Sequence, residues 1–244
     1  GSRVAWSILE RLGRFDGSSN LPCPISMNRK TACEAYRRLL AEYPVAGGRR
    51  HFLDFRNPYE TLVLTILSAQ TTDRAVNAIR DALFSRYPTP EALARAEPED
   101  VEPIIRTIGF YRTKARHIVG AARKVVGEFG GEVPRTMEEL QSLPGVGRKT
   151  ANIILSQAFG IDVGIAVDTH VRRVSGRMGF TDSTNPVIIE RDLMALFPEE
   201  VWGDINYLLI RHGRAVCTAR NPKHDRCVVA DLCRCYQELL GGEE

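Results

Sequence analysis

The chain has 244 residues, of which 43% are hydrophobic and 26% are charged, and its formal net charge at pH 7 is +3. This composition is typical of a folded globular protein, and the length suffices for one large domain or two small ones. The most apolar runs, such as residues 61–69, are too short to cross a bilayer, so we expect no membrane partner. The N-terminal residues lack a charged region followed by an apolar core, which argues against a secretory signal.

Residues 1–27 are interpreted as an N-terminal extension, in which Gly1-Ser2 resembles a scar from tag removal. From residue 28 onwards, nearly every stretch has the spacing of apolar residues that is typical of a helix. The pattern predicts helices over residues 31–44, 73–88, 114–131 and 136–143. No pair of runs alternates with period two as strands would, so we expect an all-α protein of roughly ten short helices.

Two of the predicted helix ends carry recognisable boundary residues. Gly130 and Gly131 close the third predicted helix and are typical of a helix C-terminus. Thr136 and Glu139 have the spacing of a capping box, which predicts a helix N-terminus at that point.

Residues 143–152 read LPGVGRKTAN and predict a tight turn between two helices. Gly145 and Gly147 allow the backbone to bend sharply and to approach a ligand closely. The N–H groups at the start of the next helix, which opens at Arg148, favour an anion such as a DNA phosphate. A plain connection between two helices would also explain the glycines, but Lys149 directly behind the turn adds a candidate amine nucleophile.

Asp168 lies in the segment AVDTHVRRVSGRMG, residues 166–179. Its position before a helical pattern is typical of an N-cap residue, which is a structural role. An N-cap carboxylate that also faces a cleft can assist a lysine nucleophile, so Lys149 and Asp168 together form a candidate catalytic pair.

Four of the six cysteines lie within residues 217–235. A secreted disulfide scaffold would spread its cysteines over a shorter chain, so local clustering favours ligation of a metal or a cluster. Basic residues lie in and near the same segment, at Arg211, Arg214 and Arg220, whereas acidic residues gather over residues 91–103. Such local basic patches are compatible with a DNA-binding face.

Four ordered motifs together resemble the endonuclease III family of helix-hairpin-helix DNA glycosylases. They are LSAQTTD at 67–73, IGFYRTKA at 108–115, LPGVGRKTANIIL with AFG from 143, and VDTHVRRV from 167. The resemblance extends from about residue 31 to residue 233. It implies a two-lobed all-α fold, with a six-helix barrel lobe over residues 51–161 and an iron–sulfur cluster lobe that joins residues 28–50 to residues 162–240.

The resemblance also implies an activity, namely removal of oxidised pyrimidines in base excision repair by a bifunctional DNA glycosylase and abasic-site lyase. Lys149 matches the family's nucleophile, which attacks C1′ of the damaged nucleotide and forms a Schiff base before β-elimination cleaves the strand. Asp168 matches the family's aspartate, which would accept a proton from the lysine and stabilise positive charge at the sugar. The implied partner is double-stranded DNA with a damaged pyrimidine or an abasic site. We expect a cytoplasmic monomer, associated with the nucleoid if the source is bacterial.

A glycosylase that extrudes a base from the duplex needs side chains to fill the gap. The resemblance assigns this role to Gln70 and to Phe110, where many relatives carry a smaller aliphatic residue. The alternative for Phe110 is a core aromatic, but Gly109 before it favours an exposed loop tip. The implied contacts to the DNA backbone are Gly145, Val146, Gly147 and Arg148 in the hairpin, and Arg220 and Lys223 near the cysteines.

The family's cluster motif is Cys-x6-Cys-x2-Cys-x5-Cys and holds a [4Fe–4S] cluster, whereas this chain has Cys217, His224, Cys227 and Cys233 at that spacing. Three interpretations stay open. His224 ligates the fourth iron, as imidazole does in Rieske centres, and this is the interpretation we favour. Alternatively, Cys235 substitutes for it, or the segment holds no stable cluster and its cysteines are relics or bind zinc.

Two other functions are compatible with parts of the sequence. Adenine-mismatch glycosylases of the same superfamily lack the lysine behind the hairpin, so Lys149 argues against that activity. A non-catalytic helix-hairpin-helix protein would bind distorted DNA through the hairpin amides alone and would not need the pair of Lys149 and Asp168.

Overall fold

The computed structural model of the chain describes residues 27–45 and 50–241. The N-terminal extension expected over residues 1–27 therefore lies outside the described residues except for Met27. The described residues form twelve α-helices and three short 3-10 helices, and no strand is found among them. The prediction of an all-α fold is confirmed.

The helices follow one another along the chain with short connections. In chain order they are α1 Arg29–Glu42, α2 Pro58–Leu67, α3 Asp73–Arg86, α4 Pro90–Ala94, α5 Pro98–Val101, α6 Tyr111–Phe129, α7 Met137–Gln141, α8 Arg148–Phe159, α9 Thr169–Met178, α10 Pro186–Leu196, α11 Trp202–Ala215 and α12 Arg234–Gly241. The 3-10 helices are Glu199–Val201, His224–Arg226 and Ala230–Leu232. The chain divides into two compact units, one formed by His51–Val163 and the other by the ranges Gly1–Arg50 and Gly164–Glu244.

The unit His51–Val163 contains α2 to α8 around a single hydrophobic core. Helix α2 is buried along its length from Tyr59 to Leu67, because most of its residues are apolar and its three polar residues, Glu60, Thr61 and Thr65, are buried with them. It packs against α6 and α8, so the helix that follows the glycine hairpin rests directly on the centre of this core. Asn57 starts α2 by accepting a hydrogen bond from the backbone N–H of Glu60 at 2.8 Å.

A buried ion pair joins α2 to α3 inside the same unit. Arg80 Nη2 lies 2.9 Å from Glu60 Oε2, and both side chains are 8% exposed. Glu60 Oε2 also accepts a hydrogen bond from the backbone N–H of Arg56 at 2.9 Å. The carboxylate is thus satisfied from two sides, as a charge removed from water must be.

In the other unit, α1 and α9 both pack against α11. The hydroxyl of Tyr36 on α1 donates to Asp204 Oδ2 on α11 at 2.9 Å, and Arg50 Nε lies 2.6 Å from Asp204 Oδ1. Burial, together with the negative charge of Asp204, raises the pKa of Tyr36 well above its ordinary value. These polar contacts fix α1 against the helix that leads into the cysteine segment.

The predicted helices and boundary residues are confirmed. Each of the four predicted ranges contains most of an observed helix, with bounds that differ by a few residues. Gly130 and Gly131 both have positive φ, of 62° and 87°, as glycines at a helix C-terminus commonly do. Thr136 Oγ1 accepts from the backbone N–H of Glu139 at 3.3 Å, which completes the expected cap of α7. None of the described helices combines the length and apolar character that a membrane-spanning helix needs.

The buried ion pair generates a stability prediction. Replacing Arg80 with Met should lower the free energy of unfolding by about 3 kcal/mol, because Glu60 would keep a buried charge without its partner. The measurement is equilibrium denaturation in urea. Asp81→Asn is the matched control, since Asp81 also contacts Arg80, at 2.5 Å, but its side chain is 86% exposed. An equal loss of stability in both variants would contradict the assignment.

Candidate active site and cysteine segment

The glycine hairpin over residues 143–147 is anchored in the core of its unit. Leu143 is buried, and its carbonyl accepts a hydrogen bond from the backbone N–H of Val146 at 3.1 Å. Val146 is itself buried, so its side chain points into the core and only its backbone is available to a ligand. Gly145 has φ +79°, and a Cβ built there would lie 2.9 Å from His117 Nδ1. Both the left-handed backbone and the close ring favour glycine at this position.

Helix α8 begins at the hairpin without a side-chain cap. Its N-cap residue is Gly147, whose φ of −93° is ordinary and which has no side chain to bond the first N–H groups. Other helices of this unit are capped by side chains, namely those of Asn57, Thr72, Thr89 and Thr136. An N-terminus of this kind attracts an anion through its backbone N–H groups and its dipole. Arg148 and Lys149 are exposed in the first turn.

Two exposed residues of the same unit have left-handed backbone. Among the described residues, Gln70 with φ 53° and Phe110 with φ 59° are the non-glycine residues with positive φ. The Phe110 side chain is 70% exposed, which rules out the alternative of a core aromatic. Such a conformation costs free energy in a non-glycine residue and concentrates at functional sites. Both are residues that the family resemblance assigns to contact with an opened duplex.

Asp168 belongs to the other unit and caps α9. Its Oδ1 accepts a hydrogen bond from the backbone N–H of Val171 at 2.8 Å, so the expected N-cap is confirmed. The side chain is half-buried. One carboxylate oxygen is therefore engaged with the helix, and the carboxylate keeps acceptor capacity for a second partner.

The cysteine segment, residues 217–235, has little regular structure and is fixed against α9 by Arg177. Arg177 on α9 donates to Cys217 Sγ at 3.4 Å, to the carbonyl of Thr218 at 2.7 Å and to that of Ala219 at 2.9 Å. The Cys233 thiol lies 3.2 Å from the Arg177 carbonyl. The backbone and guanidinium of Arg177 thus hold both ends of the segment against α9.

A buried histidine contacts a third cysteine. His212 Nε2 lies 3.6 Å from Cys227 Sγ, and His212 Nδ1 lies 3.3 Å from the Tyr43 hydroxyl. Burial lowers the pKa of His212 to about 4, so the ring is neutral at physiological pH and carries a single N–H. If the Tyr43 hydroxyl donates to Nδ1, the Nε2–H donates to the sulfur.

These contacts test whether the segment suits an iron–sulfur cluster. Cys217, Cys227 and Cys233 are all free; the Cys217 sulfur accepts an N–H of Arg177, and the Cys227 sulfur lies 3.6 Å from Nε2 of His212. Hydrogen bonds to cysteine sulfur are a regular feature of such clusters, and they stabilise thiolates, so the three residues fit the group. No three acidic, histidine or cysteine side chains within 27–45 and 50–241 converge on the position of a single ion. A cubane cluster does not need its ligands to converge on one point, because each of them binds a separate iron.

The two candidates for the fourth ligand differ in their surroundings. His224 is half-buried in the 3-10 helix His224–Arg226, and its ring stacks on Tyr236 with centroids 5.2 Å apart. Cys235 is half-buried and free at the start of α12. Burial raises the pKa of the neighbouring Cys233 thiol, and the charge of Cys235 has a smaller effect in the same direction.

The basic residues expected to contact DNA lie on the surface of this segment. Arg220 and Lys223 are both exposed. The Lys223 ammonium also donates to the Ala215 carbonyl at 3.3 Å, near the end of α11. Its charge therefore lies against the helix C-terminus, where a cation is favourable, and a phosphate contact would add to that bond or replace it.

Arg177 and His212 were not identified from the sequence. Arg177 occurs in an ordinary helical pattern, and its importance depends on carbonyls about forty residues further along the chain. His212 offered a weak signal, because it is a histidine near the end of α11, a few residues before Cys217. A histidine in that position is commonly a satisfied core residue, and only the contact with Cys227 distinguishes it.

Two family models match this chain. That of the HhH-GPD superfamily base excision DNA repair proteins matches residues 63–199, and the iron-sulfur binding domain of endonuclease III matches residues 217–233. Endonuclease III of Synechocystis sp. is 49% identical over 215 residues, which is 88% of this chain and 97% of that protein. The chain belongs to the endonuclease III family. It is a base excision repair enzyme, a DNA glycosylase and abasic-site lyase with an iron–sulfur binding domain.

Further endonuclease III relatives agree with this assignment over nearly their whole length. Endonuclease III of Escherichia coli K12 is 42% identical over 214 residues, covering 88% of this chain and 99% of that protein. A solved structure of a trapped endonuclease III–DNA covalent intermediate has a TM-score of 0.81 and 39% identity, with 88% of this chain and 99% of that chain covered. The fold described above is therefore that of the family.

The two hairpin glycines are predicted to have separate roles. Gly145→Ala should lower the free energy of unfolding by about 2 kcal/mol, because alanine disfavours positive φ and its Cβ would meet the His117 ring. A Cβ at Gly147 would meet nothing within 4 Å, so Gly147→Ala should lose less stability than Gly145→Ala, only that of replacing an N-cap glycine by alanine, and should weaken DNA binding. Thermal unfolding and fluorescence anisotropy with an abasic-analogue duplex measure the two effects. Full DNA affinity in Gly147→Ala would contradict a close approach of DNA at the start of α8.

Proposed function

We propose that this endonuclease III family member removes oxidised pyrimidines from double-stranded DNA and cleaves the resulting abasic site, with Lys149 as the nucleophile. The observation that carries the proposal is the position of Lys149, exposed in the first turn of α8 directly behind the uncapped Gly147. A phosphate bound by the N-terminal N–H groups of α8 would bring the adjacent sugar within reach of this amine.

The proposed reaction begins when the neutral Lys149 amine attacks C1′ of the damaged nucleotide. The bond from C1′ to the base breaks, and the base leaves with the electron pair of that bond and takes up a proton. Loss of the ring oxygen from C1′ gives the imine, a Schiff base between Lys149 and the sugar. Removal of a proton from C2′ then expels the 3′ phosphate, which is β-elimination, and water releases Lys149.

Asp168 is proposed to accept the proton that Lys149 must lose before it attacks. A lysine with its ordinary pKa of about 10.4 is almost fully protonated at neutral pH and is then not a nucleophile. The carboxylate would also stabilise the positive charge that develops at the sugar as the base leaves. Its bond to the Val171 N–H orients the carboxylate, and the remaining acceptor positions are those assigned to the reaction.

Gln70 and Phe110 are proposed to fill the gap that the extruded nucleotide leaves in the duplex. The amide of Gln70 can hydrogen-bond the orphaned base, and the exposed ring of Phe110 can stack between neighbouring bases. Their left-handed backbone supports this role, because it presents both side chains in the free protein and little conformational entropy remains to be lost on binding. Gly145 to Arg148, together with Arg220 and Lys223, are proposed to contact phosphates.

The cysteine segment is proposed to hold a [4Fe–4S] cluster with Cys217, His224, Cys227 and Cys233 as ligands and Cys235 as the alternative to His224. When bound, the cluster supplies a rigid crosslink rather than chemistry at the base. Arg220 and Lys223 lie between Cys217 and Cys227 in the sequence, so the crosslink would fix the loop that carries them. The proposal requires one copy of the chain, because every assigned residue belongs to it, and we propose that the enzyme acts as a monomer.

Trapping with borohydride tests the assignment of Lys149. The intact protein should form a covalent adduct with an abasic duplex, because borohydride reduces the Schiff base to a stable amine. Lys149→Ala should form none, and Lys30→Ala, which removes an exposed lysine of α1, should react like the intact protein. An intact protein that binds the duplex without any adduct would support the non-catalytic alternative instead.

Single-turnover kinetics and thermal unfolding separate the two roles of Asp168. Asp168→Asn should lower the single-turnover rate of base excision by about a hundredfold, because the amide cannot accept the lysine proton. Asparagine is as good an N-cap as aspartate, so the thermal unfolding temperature should change little. A stable variant with an unchanged rate would remove Asp168 from the proposed chemistry and leave it with the structural role alone.

The cluster assignment is tested by iron and acid-labile sulfide in freshly purified protein, which should each be close to four per chain. His224→Ala should lose iron, and Cys235→Ala should keep it. His224→Cys restores the family's pattern and should retain the cluster at a lower reduction potential, because thiolate replaces a neutral imidazole. Loss of iron in Cys235→Ala alone would assign the fourth ligand to Cys235, and iron near zero in the intact protein would contradict the cofactor.

A further inference from the structure

Gln70 occupies a short turn that follows α2. The carbonyl of Ser68 accepts the backbone N–H of Thr71 at 3.1 Å, which closes a four-residue turn with Gln70 in its third position. Gln70 takes the left-handed conformation there, with φ 53°. Glycine and asparagine adopt this conformation readily and glutamine does not, so something outside the turn must stabilise it.

The Lys114 side chain supplies that stabilisation from α6. Its ammonium donates to the carbonyl of Leu67 at 2.8 Å and to Thr71 Oγ1 at 2.6 Å, so it bonds the turn on both sides of Gln70. The Thr71 hydroxyl lies 3.3 Å from the Ala69 carbonyl, which it can reach as a donor while accepting from Lys114. Leu67 is the last residue of α2, where a free carbonyl and the helix dipole both favour a cation.

Burial of the Lys114 ammonium in this position is unfavourable in free energy. Lys114 is 5% exposed, and burial lowers the pKa of its side chain. Among residues 27–45 and 50–241, no carboxylate forms an ion pair with the Lys114 ammonium, which bonds the Leu67 carbonyl and the Thr71 hydroxyl. A buried cation of this kind is unfavourable for stability alone, and an apolar side chain would fill the same space more cheaply.

Lys114 also belongs to the element that presents Phe110. Its backbone N–H donates to the Phe110 carbonyl at 3.0 Å, so the two residues are joined by the first turn of α6. The preceding residue, Gly109, lies beside the other loop, since a Cβ built on it would be 4.0 Å from the Gln70 carbonyl oxygen. The loops of Gln70 and Phe110 are therefore neighbours, and Lys114 is covalently part of one and hydrogen-bonded to the other.

We propose that Lys114 is a positioning residue that joins the loops of Gln70 and Phe110 into one preorganised wedge for opening the DNA duplex. Lys114 itself does not touch the DNA. This inference rests on the proposed roles of Gln70 and Phe110, and it adds the reason why two separate loops act together.

The test follows insertion of the wedge by fluorescence. The probe is a duplex with a tetrahydrofuran abasic analogue opposite 2-aminopurine, whose emission changes when the orphaned base loses its stacking. Stopped-flow mixing with the intact iron-containing protein gives the insertion rate, and anisotropy gives the affinity. Thr71→Val removes one acceptor of Lys114 at a half-buried position and should slow insertion roughly tenfold, because a hydrogen bond to a charged group is lost.

Two further variants separate positioning from general destabilisation. Thr71→Ser keeps the hydroxyl and should insert at the rate of the intact protein. Lys114→Met should be at least as slow as Thr71→Val. Arg123→Met is the matched control, because Arg123 is also a cation of α6 that bonds main-chain carbonyls, here those of Ala94 and Ala96, and its loss should leave insertion unchanged.

Gln70→Ala and Phe110→Ala distinguish failure of this inference from failure of the proposed function. Slow insertion in both of them, in Thr71→Val and in Lys114→Met, with normal insertion in Thr71→Ser, would support the inference. If Gln70→Ala and Phe110→Ala are slow while Thr71→Val and Lys114→Met are normal, the wedge stands and the role of Lys114 is wrong. Normal insertion in Gln70→Ala and Phe110→Ala would overturn the proposed wedge itself, and the role of Lys114 with it.

Discussion

The termini of short helices expose backbone N–H and carbonyl groups, and the partners of these groups determine much of this structure. Side chains cap the N-termini of seven described helices, through Asn28, Asn57, Thr72, Thr89, Thr136, Asp168 and Asn185. Helices α6 and α8 begin instead at Phe110 and Gly147, which make no side-chain cap. Both lie in regions that the family resemblance assigns to DNA. Helices α5 and α11 also begin without a side-chain cap, so an open N-terminus does not by itself mark a DNA contact, and the glycines beside α8 are what distinguish its start.

Carbonyl groups at helix ends and in loops accept hydrogen bonds from cationic side chains. Lys114 bonds the carbonyl at the end of α2, Arg123 bonds those of Ala94 and Ala96 at and after the end of α4, and Arg177 bonds the chain after Cys217. Each of these cations lies on a helix and bonds carbonyls at the end of another helix or in a loop. Irregular loops can therefore hold a defined conformation, which a site built from loops requires.

The sequence was sufficient to predict those features whose causes are local. The helix periods, the cap at Thr136, the N-cap role of Asp168 and the glycine termination at Gly130 all depend on neighbouring residues, and the structure confirms them. Family motifs located Lys149, Gln70 and the cysteine segment in the same way. The left-handed backbone of Phe110, the inward direction of Val146 and the contacts of Lys114, Arg177 and His212 depend on partners that are distant in sequence. No single-residue pattern encodes them, so they could be obtained only from the folded chain.

The inward direction of Val146 has a consequence for the evolution of the hairpin. Because the residue between the two glycines is part of the hydrophobic core, the turn cannot be exchanged as an independent cassette between proteins of different core packing. The His117 ring beside Gly145 adds a second constraint, since a larger side chain at either position would require a compensating change at the other. A hairpin placed in another protein would need Leu143, Val146 and His117 in addition to the two glycines. Transfer of this motif to another protein therefore requires its packed neighbours as well. The exposed residues Gln70 and Phe110 can instead be substituted one at a time.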